Sequence, residues 1–203
     1  MGLREKKERT KLTIQRKAID LTLERGLAGF TMQELADAAG VSRSTLFNYF
    51  PGKVDAVLGV SKSADAGTAG LERMLDDLPV AATPLEDAAK QVQAILSLLE
   101  LGDEYKAIYR LMLQAVEREP RLKEAFDANN RQTVVWVASR LEQRFGDAVS
   151  PSDRELVAAL VGSLLQAAIA RYLDASPDQT LAQVFAEVVA DALYLAGSDV
   201  RAA

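Results

Sequence analysis

Arg43, Ser44, Thr45 and Asn48 stand within six positions of one another, and each carries a group that can read a base edge or hold a phosphate. Arg43 can offer a two-pronged fork to guanine O6 and N7. Asn48, about one helical turn on, can pair with adenine or a phosphate. Ser44 and Thr45 can hydrogen-bond to either, and the Thr45 methyl can meet a thymine. Tyr49 and Lys53 follow as expected backbone clamps, Lys53 beside a helix N-terminus that favours anions. Thr31 can combine a phosphate contact with a helix cap.

This is the chemistry of recognition. Making and breaking bonds finds less support, because the chain has no cysteine and no histidine. Disulfides, thiol catalysis and thiolate metal sites are excluded, as is imidazole acid–base chemistry. No calcium-loop spacing is present. The acid pairs Asp76-Asp77 and Glu86-Asp87 are sequence neighbours, which do not face each other on a helix, and they read as solvated surface. The expectation is a protein that is not an enzyme and holds no metal or cofactor.

The elements that must position these side chains are legible in residues 31–50. Thr31 caps a helix and Glu34, three residues later, completes a capping box. Leu35, Ala36 and Ala39 form its narrow apolar face, and Gly40 suits the positive φ of a helix end. Ser42 caps a second helix, whose Leu46 and Phe50 point inward while Arg43, Ser44, Thr45 and Asn48 point out. Helix, short glycine-bearing turn, helix is the helix-turn-helix arrangement, which delivers its second helix to the major groove of double-stranded DNA.

Residues 10–58 resemble the N-terminal DNA-binding domain of the tetracycline-repressor (TetR) family of bacterial regulators. The matching points are Ile14, Ala18 and Leu21, then Glu24-Arg25-Gly26, Thr31, Leu35-Ala36, Ala39-Gly40-Val41-Ser42, Thr45-Leu46, Tyr49-Phe50 and Lys53. Three positions depart from the family pattern. Thr22 replaces a large apolar residue, Ser44 a common glycine, and Phe47 a common tyrosine whose hydroxyl often reaches a phosphate. The resemblance implies a nine-helix, all-α fold, a dimer held by the last two helices, and an inducer-binding body.

Charge divides along the same line. The net charge is −5, yet residues 1–53 carry ten Lys/Arg against six Asp/Glu, a net of +4. Residues 54–203 carry fourteen against twenty-three, a net of −9. A basic head on an acidic body confines phosphate contact to the head. Residues 1–53 are therefore expected to form the DNA-binding domain, and residues 54–203 an effector-binding and dimerisation domain. The charged residues 1–9 are expected to be mobile, within reach of a phosphate or minor groove. They lack the apolar run of a signal peptide. The longest apolar stretch, 156–170, is shorter than a membrane span and is closed by Arg154, Glu155 and Arg171, so it reads as a buried helix. A cytoplasmic protein with no membrane partner is expected.

Helical spacing and cap signals place helices near 8–26, 32–39, 43–50, 53–76, 85–101, 103–117, 121–145, 152–174 and 177–196, with no convincing strand. Capping boxes are expected at Thr83…Glu86, Ser152…Glu155 and Ser176…Gln179. One helix-turn-helix makes few base contacts, so a homodimer on a palindromic operator is expected. Its interface would use Leu156, Leu160, Ser163, Leu164 and Ala167 on one helix and Leu181, Val184, Phe185 and Val188 on the next. Ile95, Leu99, Tyr105, Ile108, Tyr109, Met112, Phe126 and Trp136 are candidates to line a pocket for an apolar or amphipathic small-molecule effector. The reading is a sequence-specific transcriptional regulator, a repressor released by its ligand. A small-molecule carrier with a vestigial helix-turn-helix is the alternative, and an all-α enzyme using carboxylates a more distant one.

Overall fold

The computed structural model describes residues 3–61, 68–98, 103–176 and 178–197. The described residues are all-α, with ten helices, and they divide into two compact units.

The first unit holds residues 1–70 and 104–128. Helix α1 (Leu3–Arg25) carries Ile14, Ala18 and Leu21 at i, i+4 and i+7, and all three are buried. Helices α2 (Met32–Ala38), α3 (Arg43–Tyr49) and α4 (Lys53–Leu58) pack around it, contributing Leu35, Ala36, Leu46 and Val57, with Phe50 sealing the end of α3. The same core takes Ile108, Met112 and Ala115, again at i, i+4 and i+7, from α7 (Asp103–Arg118). Leu122 joins them from the start of α8 (Pro120–Phe145). Thr22 is buried without loss, because its hydroxyl donates to the Ala18 carbonyl at 2.7 Å.

The second unit holds residues 71–103 and 129–203. Within it lie most of α5 (Thr68–Asp76), α6 (Pro84–Ser97), the rest of α8, α9 (Pro151–Asp174) and α10 (Leu181–Gly197). Helices α6, α9 and α10 pack on one another. Ala88, Val92 and Leu96 of α6 meet Ala158, Val161, Ala168 and Tyr172 of α9 and a buried stripe on α10.

Several expectations need correction. The helix expected over 53–76 is broken: α4 ends at Gly59, which adopts the left-handed conformation at φ 73°. That conformation favours glycine, and a Cβ there would also crowd the Gln15 amide, 2.6 Å from Nε2. Hence, among the described residues, ten α-helices stand where nine were expected. Residues 3–9, expected to be mobile, continue α1. Helix α9 starts one turn-position early, because Ser150 is the cap, accepting from the Asp153 amide at 3.2 Å with Pro151 as the first helical residue. Helix α10 starts late. Thr180 and Gln183 form the reciprocal pair that Ser176 and Gln179 were expected to form.

Helix α9 is also less buried than its composition suggests. By length and composition it could cross a membrane, but only 22% of its apolar window is buried in the chain. Leu156 and Leu160 are 59% and 45% exposed.

Asp87, read as solvated surface, is almost fully buried. Arg144 from α8 meets its carboxylate two-pronged, Nε at 2.7 Å and Nη2 at 3.0 Å. The Ala81 amide and Gln91 Nε2 also donate to Asp87, while Arg144 donates onward to the Leu75 and Leu78 carbonyls. Burial alone would raise the Asp87 carboxyl. These hydrogen bonds and the Arg144 charge outweigh it and hold the group below the ordinary aspartate range.

Candidate nucleic-acid interface

Helix α2 begins with the expected reciprocal cap. The Thr31 hydroxyl accepts from the Glu34 amide at 3.2 Å, and the Glu34 carboxylate accepts the Thr31 amide and hydroxyl, each at 2.8 Å. These bonds, hydroxyl first, hold the Glu34 carboxyl below its usual range, aided by the charges of Arg25 and Lys53. The donor hydrogen of Thr31 is thus already engaged in capping. The helix ends in a Schellman motif: Val41 N–H donates to Ala36 C=O at 3.0 Å and Gly40 N–H to Asp37 C=O at 3.1 Å. Gly40 sits at φ 65° with open space around it, so backbone conformation alone selects glycine.

That turn aims α3. Ser42 caps it, accepting from the Thr45 amide at 3.1 Å, and its Oγ lies 2.7 Å from Thr45 Oγ1 and 3.0 Å from Ser44 Oγ. Leu46 and Phe50 are buried beneath, so Arg43, Ser44 and Asn48 face solvent and Thr45 is half-buried. The Arg43 guanidinium lies 5.6 Å from the ring centroid of Phe47, one turn on, a cation–π arrangement that orients the charge along the exposed face. Phe47 lacks a phosphate-binding hydroxyl but supports the arginine. Tyr49 packs on Phe50 with ring centroids 6.5 Å apart.

Lys53 has a role that the sequence did not reveal. Its ammonium donates to the Leu27 carbonyl at 2.6 Å and the Phe30 carbonyl at 2.7 Å, and sits 4.8 Å from the Phe30 ring centroid. The Leu27 amide in turn donates to Glu119 Oε1 at 2.9 Å. The turn between α1 and α2 is therefore held at both faces. Gln15 adds a further tie, donating from Nε2 to the Val57 carbonyl at 3.3 Å. Partners 23 to 92 positions apart leave no local sequence signal.

The expected pocket residues fall in different units. Ile108 and Met112 are core of the first unit, with Tyr109 and Phe126 packed against that core, and Tyr105 is half-buried in α7. Burial pushes the Tyr109 hydroxyl up from its ordinary range. Ile95 and Trp136 belong to the second unit, and Leu99 lies outside the described residues. Of the expected interface residues, Leu156, Leu160, Ser163 and Ala167 form an exposed stripe on α9, with Leu164 half-buried. Leu181, Val184, Phe185 and Val188 are instead the stripe by which α10 packs inside its own chain. Its outward residues are Leu193, Tyr194 and Leu195. Among the described residues no acidic cluster is arranged to hold a metal ion.

A capped, outward-facing α3 that follows a glycine-bearing turn from α2 is the helix-turn-helix arrangement. Residues 14–60 match the family described as bacterial regulatory proteins, tetR family. The HTH-type transcriptional regulator TcmR of Streptomyces glaucescens is 31% identical over 126 residues, which is 60% of this chain and 54% of that protein. The chain thus spans about half the length of this curated relative. Among solved structures, Thermus thermophilus FadR, a TetR-family transcriptional repressor in complex with lauroyl-CoA, superposes with a TM-score of 0.50 at 23% identity, over 95% of this chain and 97% of that one. A Clostridium perfringens protein assigned as a fatty acid metabolism regulator gives 0.52 at 20% identity, over 90% and 97%. These two likenesses are of fold. The likeness to the tetR family of bacterial regulators is carried by the head, residues 14–60.

Proposed function

We propose that this protein is a dimeric transcriptional repressor of the cytoplasm that leaves a palindromic operator when a small molecule binds its body. The observation that carries the proposal is α3, capped by Ser42, anchored by Leu46 and Phe50, and presenting Arg43, Ser44 and Asn48 to solvent. Arg43 is assigned to a guanine, Thr45 and Asn48 to neighbouring bases or phosphates, and Tyr49 and Lys53 to the backbone, while Thr31, whose donors are held by Glu34, serves as the cap. The net of +4 in residues 1–53 supports a head that meets phosphate, and the net of −9 in residues 54–203 supports a body held away from it.

Dimerisation is assigned to the exposed stripe of α9 together with the outward end of α10. Five large apolar side chains there, Leu156, Leu160, Leu193, Tyr194 and Leu195, face solvent in the single chain. Two heads related by a two-fold axis would read two half-sites about one helical turn of DNA apart. The small molecule is assigned an apolar or amphipathic character, and the complex of FadR with lauroyl-CoA supports a fold that accommodates such a ligand. It can release DNA only to the extent that it prefers the state whose heads misfit the operator.

The test is selection of bound sequences from a random DNA pool, followed by release assays with a metabolite library. A recovered palindrome, bound in a salt-dependent way and released by one compound, is the expected result. Failure to enrich any sequence would overturn the regulator reading.

A further inference from the structure

Arg140 and Arg144 stand one turn apart on α8, and both are buried. Every nitrogen of Arg144 donates to an acceptor of its own unit. Arg140 differs. Its Nε donates to Gln91 Oε1 at 2.9 Å and its Nη1 to Gln143 Oε1 at 2.9 Å, with Asp76 Oδ1 2.8 Å from Nη1. Its Nη2 is buried and has no hydrogen-bond partner among the described residues. A charged donor shut away without an acceptor is unfavourable, so the missing acceptor is expected to arrive from outside the chain.

The place it would arrive is formed. Arg140 lines a cleft of about 310 Å³ together with Glu72, Asp76, Trp136, Ser139 and Gln143, all of the second unit. Trp136 precedes Arg140 by four residues, so the two share one face of α8. Charge decides the ligand class. Glu72 and Asp76 outnumber the single arginine, so an anion is disfavoured and a neutral oxygen acceptor fits. Trp136 adds a flat apolar wall. Asp76, exposed over 62% of its side chain, holds the neighbouring Nη1 at 2.8 Å and fixes the guanidinium in the cleft wall.

We propose that this cleft binds a flat, uncharged molecule bearing a carbonyl oxygen, with Arg140 Nη2 as the donor to that oxygen and Trp136 as the stacking surface. The proposal rests on the ligand-responsive reading above and gives it a site and a ligand chemistry.

Trp136 is the sole tryptophan of the chain, so its fluorescence reports on the cleft directly. The full-length protein is titrated with coumarin, a flat ring with a lactone carbonyl, and with 2H-chromene, the same frame without it. Calorimetry is run alongside, and free N-acetyltryptophanamide corrects for absorbance. Saturable binding of coumarin, at least tenfold tighter than 2H-chromene, is the expected result. Arg140→Lys, checked for folding by circular dichroism, should abolish that tenfold preference. Equal affinity for the two compounds, no saturable binding of coumarin, or a preference that survives in folded Arg140→Lys would each overturn the proposal. If Arg140→Lys does not fold, the wild-type comparison of the two compounds decides alone. Operator binding is followed in parallel by anisotropy of labelled DNA. Coumarin binding by a protein that recognises no operator overturns the regulator reading and leaves the cleft standing. Operator release by another compound, with coumarin unbound, overturns the cleft alone.

Discussion

Lys53 and Arg43 show how two basic residues ten positions apart differ in kind. Arg43 is exposed and braced by Phe47, with its donors facing solvent among the described residues. Arg43→Ala should weaken operator binding by about 1–3 kcal/mol and relax the preference at one base pair. Equal loss on operator and random DNA in a binding titration would refute base reading. Lys53 has two of its donors on backbone carbonyls of the α1–α2 turn. Lys53→Met should therefore lower stability by about 1.5–3 kcal/mol, read as a shift of the urea midpoint. A lysine serving only as a phosphate clamp would leave that midpoint unchanged and reduce the salt slope of DNA binding by about one. Thr31 with Glu34, Gly40 and Ser42 were legible because a cap and its partner lie within three or four residues. The partners of Lys53 lie 26 and 23 residues away, and nothing near Lys53 in sequence points to them.

At the scale of elements, the informative failures are Gly59 and Asp87. An isolated glycine inside helical periodicity is ordinarily tolerated, so the pattern over 53–76 concealed a stop. The left-handed backbone of Gly59 ends α4, and the Gln15 amide of α1 lies where a side chain would begin. Asp87 lies beside Glu86 near the start of α6, where acidic residues usually face water and the helix dipole. Its burial follows from Arg144, 57 residues away, which joins α6 to α8 and to the end of α5. Asp87→Asn removes the charge that compensates a buried guanidinium and should destabilise the chain by about 3–5 kcal/mol, measured by chemical denaturation. The sign of the pH effect follows from the depressed carboxyl. Its stabilisation is complete above the unfolded aspartate value, near ~4, and is lost as pH falls through the lower folded value. Denaturation midpoints of the wild type should drop across that acid window, and Asp87→Asn should remove this component of the drop.

For the molecule as a whole, the helical class and the position of the capped, outward-facing α3 were open to sequence reasoning, whereas the partition of apolar faces was not. Periodicity marks a stripe as apolar without saying whether its neighbour is the same chain or another copy. Helix α10 spends its Leu181–Val188 stripe internally, while α9 leaves Leu156 and Leu160 facing out. Leu160→Asp should accordingly halve the mass seen by sedimentation at micromolar concentration while leaving the far-ultraviolet circular dichroism intact. An unchanged mass would remove α9 from the interface. The route of the chain was equally hidden: residues 104–128 return to the unit that holds residues 1–70. This return bears on anyone who would build sensors by exchanging parts between regulators. A head cut out at residue 60 would leave behind Ile108, Met112 and Leu122 from its core, and Glu119 from the turn it steadies. A graft should carry two pieces of chain, the head and the segment 104–128, because the compact unit that presents α3 is discontinuous along the chain.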